Sequence, residues 1–421
     1  MSNYVPRFLR FEGYKTIDVA TSIKQQSVVV KLEISETKPF NCHVCGTPFA
    51  RYIHTKIRRV KDLSLRGFTT EIVFPRRTGE CLKCQKQRVE EVDFVSPLSP
   101  HYTVDYSWWL GEMCEFATVK RGAEFAGVDN MSLRRIDFNR MRFMMKNYKI
   151  PYATRISVDE VYARSKSAHK RESRNKRFFT VITDLDTRKV IWVSPSRDQE
   201  ALDQFFTIVG DKFCKLIEVI AMDQHEPYRA SAKKHCPHAV VVWDKFHLVQ
   251  NFNEAANELR KDVFSYAGKS DEIKKLARGK YRYIFLKKSA KRTEQEKMHL
   301  EEAMKQNWYL SRLELIKERF HQFFTETNVE VAWKVFDEIG DWVHELEYPP
   351  LIKWWENLER EWDTLKNYFH FRVTSALSEG INNVIKSLKR QAFGYRNMEY
   401  FQLKILQRCG YLNSQHMPAP L

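Results

Sequence analysis

Three acidic residues and four cysteines are the positions in this chain whose types and surroundings could do chemistry. Asp159 sits in RISVDEV, where Ile156, Val158 and Val161 alternate as in a strand, and a carboxylate there needs solvent, a partner or a metal ion. Asp223 ends a second strand-like run, LIEVIAMD, and Glu379 lies in SEGINN at the start of a helical pattern. Carboxylates on separate elements can converge on one point, where oxygen ligands suit Mg²⁺ or Mn²⁺. Asp244 and His247 form a DxxH at a further strand-to-helix junction, read either as support for such a site or as a helix cap beside a buried histidine. Cys42 and Cys45 in NCHVCG and Cys81 and Cys84 in GECLKC make two CxxC pairs with 35 residues between them. Four thiolates close a tetrahedral Zn²⁺ site with no open position, which makes that metal structural.

The elements that must position these residues divide the 421-residue chain into several parts. Short strands up to about residue 40, including Val28, Val29, Val30, Leu32 and Ile34, lead into the cysteine pairs, giving a zinc-binding β module over 1–100. Between the pairs, Arg51, Lys56, Arg58, Arg59, Lys61, Arg66, Arg76 and Arg77 lie among strand formers and suggest a basic β-ribbon. Over 101–150 the pattern turns helical, with Trp108, Trp109, Met113 and Phe116 expected on one buried stripe. A short helix, a Gly127-containing turn and a second helix over Met131–Met145 resemble a helix-turn-helix, in which Arg134, Arg135, Asn139, Arg140 and Arg142 could face a groove or phosphates.

After Pro151 strands return. Ile156–Tyr162, FFTVITDLD and KVIWV read as an antiparallel meander, followed by helix, strand to Asp223, helix, strand to Asp244 and helix. Three strands and then αβαβα is the order of a ribonuclease-H-like fold, here assigned to 151–264. No strand pattern occurs over 265–370, which is read as an all-helical insertion whose Trp308, Trp333, Trp342, Trp354, Trp355 and Trp362 are mainly core. The core resumes over 371–421 with Glu379 and a basic helical face at Lys386, Lys389 and Arg390, extended by Arg396. The fold class expected is therefore multidomain α+β.

Composition narrows the partners. Lys and Arg number 70 against 53 Asp and Glu, a net charge of +17, which favours a polyanion, nucleic acid above all. No apolar run approaches the roughly 18 residues that span a bilayer, and the amino terminus has no apolar leader core, so a soluble intracellular protein without a membrane partner is expected. Paired CxxC spacing with four scattered cysteines points to a metal clip in a reducing compartment.

Taken together, the paired CxxC, the helical pair, VDE around Asp159, AMDQHEPY around Asp223, WDKFH at 243–247 and SEGINNVIKSLKRQAFGYRNMEYF at 378–401 resemble the ISL3 family of insertion-sequence transposases, members of the DDE superfamily. The resemblance spans nearly the whole chain. It implies a bacterial, cytoplasmic and nucleoid-associated enzyme that cuts and joins double-stranded DNA at its element's terminal inverted repeats, working as a homodimer or larger assembly. It maps the catalytic triad to Asp159, Asp223 and Glu379, which are 64 and 156 residues apart. These three would hold two Mg²⁺ or Mn²⁺ ions. An idle DNA-binding regulator and a nuclease that never joins strands are the other classes compatible with these motifs. The basic loop at 163–177 departs from the family pattern.

Overall fold

In a computed structural model the described residues are 11–163, 175–266, 284, 287–373 and 376–413. The chain divides into two compact units, one within Met1–Tyr148, Glu399–Arg408 and Leu412–Leu421, the other within Lys149–Met398 and Cys409–Tyr411. Most of the basic loop expected at 163–177 lies outside the described residues. Among the described residues, no helix is long and apolar enough to cross a membrane.

The first unit begins with a five-stranded sheet. Strands β1 (Tyr14–Ser22), β2 (Ser27–Ile34), β3 (Arg51–Leu65) and β4 (Phe68–Cys81) take the order β1-β2-β4-β3, and β5 (Lys86–Val89) pairs with β4. Val28, Val30, Leu32, Val60, Ile72 and Phe74 alternate inward and form its core. The ribbon β3–β4 is less uniformly basic outside than its sequence suggests. Arg77 pairs at 2.7 Å with the fully buried Glu90, and Arg76 donates to the Glu90 carbonyl. Arg58, Lys56, Lys61 and Arg66 stay exposed.

Helices α1 (Val104–Phe116), α2 (Val119–Ala126) and α3 (Asn130–Met145) follow. Gly127, in the left-handed region at φ 61°, ends α2, and the Asp129 carboxylate caps α3 by accepting from the Ser132 amide at 2.8 Å. The stripe that α1 buries is Tyr106, Ser107, Leu110, Gly111 and Cys114; of the expected residues Met113 packs against that core, while Trp108, Trp109 and Phe116 are not on it. Arg140 explains the shift: it lies across Gly111, where a Cβ would come within 2.4 Å of its Cδ, and covers the Trp108 ring at 5.0 Å. Phe116 is left 85% exposed.

The last described helix is α14 (Met398–Cys409). The sequence assigns 371–421 to the second part, whereas Glu399–Arg408 belongs to the first unit. It is fastened there by Lys404, whose Nζ lies 2.7 Å from the fully buried Asp137 carboxylate and donates to the Cys114 carbonyl and to Gln407 Oε1. Tyr400 donates to the same Asp137 oxygen at 2.5 Å. Removing one partner of a buried pair strands the other charge, so Asp137→Leu alone is expected to cost about 3–5 kcal/mol. Adding Lys404→Met should restore much of that loss, as read from urea midpoints.

In the second unit a mixed sheet has the order β10-β9-β6-β7-β8. β6 (Arg155–Tyr162), β7 (Phe178–Asp184) and β8 (Lys189–Pro195) are antiparallel, while β9 (Val219–Met222) and β10 (Val240–Trp243) run parallel to β6. Helices α4 (Gln199–Cys214), α5 (Glu226–His235) and α6 (Lys245–Tyr266) connect and follow these strands. β9 is buried at every residue, as expected of a strand covered on both faces.

The described residues between α6 and Phe371 form mainly helices, α7 (Glu294–Gln306), α8 (Trp308–Phe323), α9 (Val329–Glu345), α10 (Pro349–Arg360), α11 (Trp362–Leu365) and α12 (Asn367–Phe371). They share one hydrophobic core with the sheet. Phe252 of α6 meets Phe320 at 5.5 Å and Trp354 at 5.0 Å. Trp354 and Trp355 are buried and Trp342 and Trp362 pack against the core, while Trp308 and Trp333 are 50% and 41% exposed. Helix α13 (Ala376–Gln391) then returns to β6.

Candidate active site and metal centre

Parallel pairing places the acidic residues. Val158 is in register with Met222, and Met222 with Trp243, so the next residues, Asp159, Asp223 and Asp244, occupy equivalent positions where β6, β9 and β10 end or part. The carboxyl ends of parallel strands are where open α/β sheets bind ligands. Adjacent strands are about 4.8 Å apart, so neighbouring positions bring two carboxylates to one rim without any long-range coincidence.

Each oxygen of Asp159 has a defined environment. Oδ2 accepts from Asn382 Nδ2 at 2.8 Å, and Oδ1 accepts from the Glu160 amide at 2.6 Å. His247, in the first turn of α6, has Nε2 at 3.7 Å from Asp159 Oδ1 and Nδ1 at 3.9 Å from Asp223 Oδ2. Burial works against the imidazolium, but the Asp159, Asp223 and Asp244 carboxylates outweigh it and lift His247 to about 9. Burial is also the main force raising Asp223 and Asp244 above the ordinary carboxylate range, with His247 opposing it. Asp244 accepts from the Phe246 amide at 2.9 Å and so caps α6, which combines the two readings of the DxxH: a cap, and a histidine facing the carboxylates.

Glu379 is exposed in the first turn of α13. Among the described residues, Asp159, Asp223 and Glu379 do not come within 4.8 Å of one another as a set. What α13 brings to Asp159 is Asn382, three residues beyond Glu379 and hence on a neighbouring part of the same helical face. Sequence reasoning passed over Asn382; its signal was that spacing from Glu379. Asn382 Oδ1 is buried with no hydrogen-bond partner among the described residues. It adds a hard oxygen beside the two aspartates, a donor set that fits a divalent cation of the Mg²⁺ class.

Basic residues near this end of the unit differ in their surroundings. Lys389 is tied down, donating to the Tyr162 carbonyl at 3.2 Å and lying over the Tyr162 ring, and burial lowers its pKa. Lys386, Arg390 and Arg396 are exposed. On α3 of the first unit, Arg135 is exposed, Arg134 lies over the Tyr400 ring at 5.6 Å, and Arg142 pairs with Glu399 at 3.1 Å. Asn139 donates to the Leu98 carbonyl. Arg140 does not face a groove: its side chain is 4% exposed and pairs with Glu115 at 2.7 Å, because the close α1–α3 approach at Gly111 draws it inward.

The candidate metal centre of the first unit is better closed. The sulfurs of Cys42, Cys45, Cys81 and Cys84 all lie within 4.8 Å of one another, with Cys45–Cys81 at 3.5 Å and Cys42–Cys84 at 3.9 Å. Four thiolates at the Zn–S distance of about 2.3 Å have sulfurs about 3.8 Å apart, so the cluster fits Zn²⁺. Without a metal, hydrogen bonding with Thr47 draws Cys45 below the ordinary thiol range while the neighbouring sulfurs push Cys84 above it, so the four thiols do not ionise together.

Comparison with known proteins agrees with this architecture. The profile of the ISL3 transposase family DDE_Tnp_ISL3, described as Transposase, matches residues 156–405, which include every strand of the second sheet except the first residue of β6. The chain is 24% identical over 375 residues to the transposase for insertion sequence element IS1001 of Bordetella parapertussis, covering 86% of this chain and 87% of that protein. It is 23% identical over 263 residues to the transposase for insertion sequence element IS1557 of Mycobacterium tuberculosis, covering 58% and 57%. With a family match over more than half its length, embracing both strand-end aspartates and α13, the chain belongs to the ISL3 family of transposases.

Proposed function

We propose that this transposase binds the terminal inverted repeats of its insertion sequence, cuts them and joins them to target DNA by a DDE mechanism on a ribonuclease-H-like core. The single observation that carries the proposal is the register of β6 and β9, which puts Asp159 beside Asp223 at the rim of a mixed sheet while Asn382 ties α13 to Asp159. Glu379, one turn before Asn382, completes the set when substrate is engaged. These residues would hold two Mg²⁺ or Mn²⁺ ions, which when bound activate the attacking water or 3′-hydroxyl and neutralise charge at the phosphate.

The chain's own residues account for the rest. Asn382 fixes the orientation of Asp159 by donating to Oδ2. Before metal binds, His247 lies between the two aspartates, whose charges favour its protonated form, and limits their mutual repulsion. Asp244, through its cap of α6, holds His247 at that place. The Cys₄ cluster would carry a structural Zn²⁺, and Arg134, Arg135 and Arg142 on α3 supply DNA contacts in a helix-turn-helix role.

Incubating the purified protein with a labelled terminal repeat, Mg²⁺ and a supercoiled plasmid tests the reading. Joined products are expected; cleavage alone would reduce the protein to a nuclease, and binding alone to a regulator. The exposed cations of α13 and of the turn that follows it give a separate expectation. Each phosphate contact releases counterions, so Lys386→Ala, Arg390→Ala and Arg396→Ala should each flatten the dependence of log K on log salt by roughly 0.9. Lys389→Ala should act differently, loosening α13 from β6, because its amine is already engaged at Tyr162. Unchanged slopes in the first three variants would remove α13 from the DNA path.

A further inference from the structure

The end of α13 carries a residue that folding does not account for. Phe393 is fully exposed, at 101%. Its backbone is in the left-handed region at φ 50°, followed by Gly394 at φ 93°. The Phe393 amide donates to the Arg390 carbonyl at 3.0 Å and the Gly394 amide to the Lys389 carbonyl at 2.9 Å, closing the helix with a Schellman cap. Glycine is the residue that such a cap favours at the position Phe393 takes, since a side chain there is strained and a bulky one more so. An aromatic ring held in that conformation, with no ring or cation stacked on it among the described residues, gains nothing from burial. Its contribution lies outside the fold.

The helical spacing says where. Glu379, Asn383, Lys386, Arg390 and Phe393 follow one another at intervals of four, three, four and three residues, and all five are exposed. They form one solvent-facing stripe along α13. At one end is Glu379, three residues before the Asn382 that donates to Asp159; in the middle are two cations with no carboxylate partner among the described residues; at the other end is the ring. Such a stripe is suited to a phosphate backbone along its length and an apolar, flat group at its end. Fourteen residues at 1.5 Å each separate Glu379 from Phe393 by roughly 21 Å, about six base steps of a duplex rising 3.4 Å per step.

We propose that Phe393 enters the DNA as a wedge, stacking on a nucleobase that it unstacks from its neighbour within about six base steps of the scissile phosphate. The inference rests on the DNA-cutting reading above and adds to it a ligand, an unstacked base. Charge guides the strand along Lys386 and Arg390, and the exposed ring replaces one base–base contact with a base–aromatic contact. The strained cap holds the ring out from the helix end, so little freedom is lost when it inserts.

The test places 2-aminopurine at each of the first ten positions of a terminal-repeat duplex and reads its fluorescence on binding the full-length protein, together with affinity and cleavage. Wild type is expected to change the signal at one or two positions within about six steps of the cut. Phe393→Ala should abolish that change and weaken binding roughly five- to hundredfold with an unaltered salt slope, and Phe393→Trp should preserve it. Phe393→Gly should behave like Phe393→Ala while melting at the same or a higher temperature, since it removes strain and no packing. The same fluorescence profile in wild type and Phe393→Ala, with normal cleavage by both, overturns the wedge and leaves the transposase reading intact. A wild-type protein that neither binds nor cuts the terminal duplex overturns both.

Discussion

Asp159→Asn is expected to abolish cutting and joining while leaving DNA binding and folding close to wild type. The substitution keeps the shape of the side chain, and an amide oxygen can still accept from Asn382. What it removes is the negative charge at the one position flanked by Asp223, His247 and α13. Losing a carboxylate that holds catalytic cations forfeits several kcal/mol of transition-state stabilisation, so cleavage should fall by roughly 10³-fold or more. Quantitative cleavage of a labelled repeat in Mg²⁺, beside filter binding in Ca²⁺, separates the two effects. Asp184→Asn is the matched control. That carboxylate is buried at the end of β7, where it accepts from the Asp186 amide and the Thr187 hydroxyl within a turn, so its loss should lower stability and spare the chemistry. Cleavage by Asp159→Asn at the wild-type rate would sink the active-site assignment.

The second large effect is expected from the cysteines. Cys42 and Cys81 are fully buried and bind together segments 39 residues apart, the loop before β3 and the end of β4. Around them the Cys42 amide donates to the Thr47 carbonyl, the Gly46 amide to the Cys42 carbonyl, and the Cys84 amide to Cys81 sulfur. Beside them the Phe40 and Phe49 rings pack at 4.6 Å, and a Zn²⁺ held by the four thiolates would supply the cross-link that this small apolar contact does not. Structural zinc in a Cys₄ site is worth on the order of 10 kcal/mol of folding free energy at neutral pH. Cys42→Ser or Cys81→Ser should therefore release about one equivalent of zinc per chain and open the segment from 39 to 90 to protease. The second unit should keep its own resistance, because none of its core residues belongs to this sheet. Zinc content by colorimetric assay and limited proteolysis read both results; a metal-free wild type with an intact, protease-resistant sheet would refute the assignment.

Much of the second sheet could be read from residue order because its strands are short, apolar and buried, and buried parallel strands advertise themselves as continuous hydrophobic runs. Asp159, Asp223 and Asp244 stood out for the same reason: each is the first carboxylate after such a run, and once the strands pair in parallel their alignment follows from register alone. The two CxxC pairs were legible because thiolate spacing reports a local loop and needs no tertiary information.

Other features depended on contacts between distant segments. Arg140 looked like one more cation on a basic helix, and only the approach of α1 at Gly111 turned it inward to Glu115. The last helix continues a motif that otherwise belongs to the second unit, yet the buried Asp137–Lys404 pair commits it to the first. Trp354 and Trp333 share the same local composition, but one packs on Phe252 and Phe320 while the other is partly exposed.

By itself, then, the sequence determined the strands, the zinc-type cysteine cluster, the family and the aspartates at the strand ends, because each is written in spacing over a few residues. The tertiary structure decided which cations face outward, where α14 docks, that Asn382 is the residue of α13 in contact with Asp159, and that Phe393 projects bare from the cap. Those outcomes depend on which surfaces meet across hundreds of residues, and a periodic pattern fixes a face of a helix without naming what that face will touch.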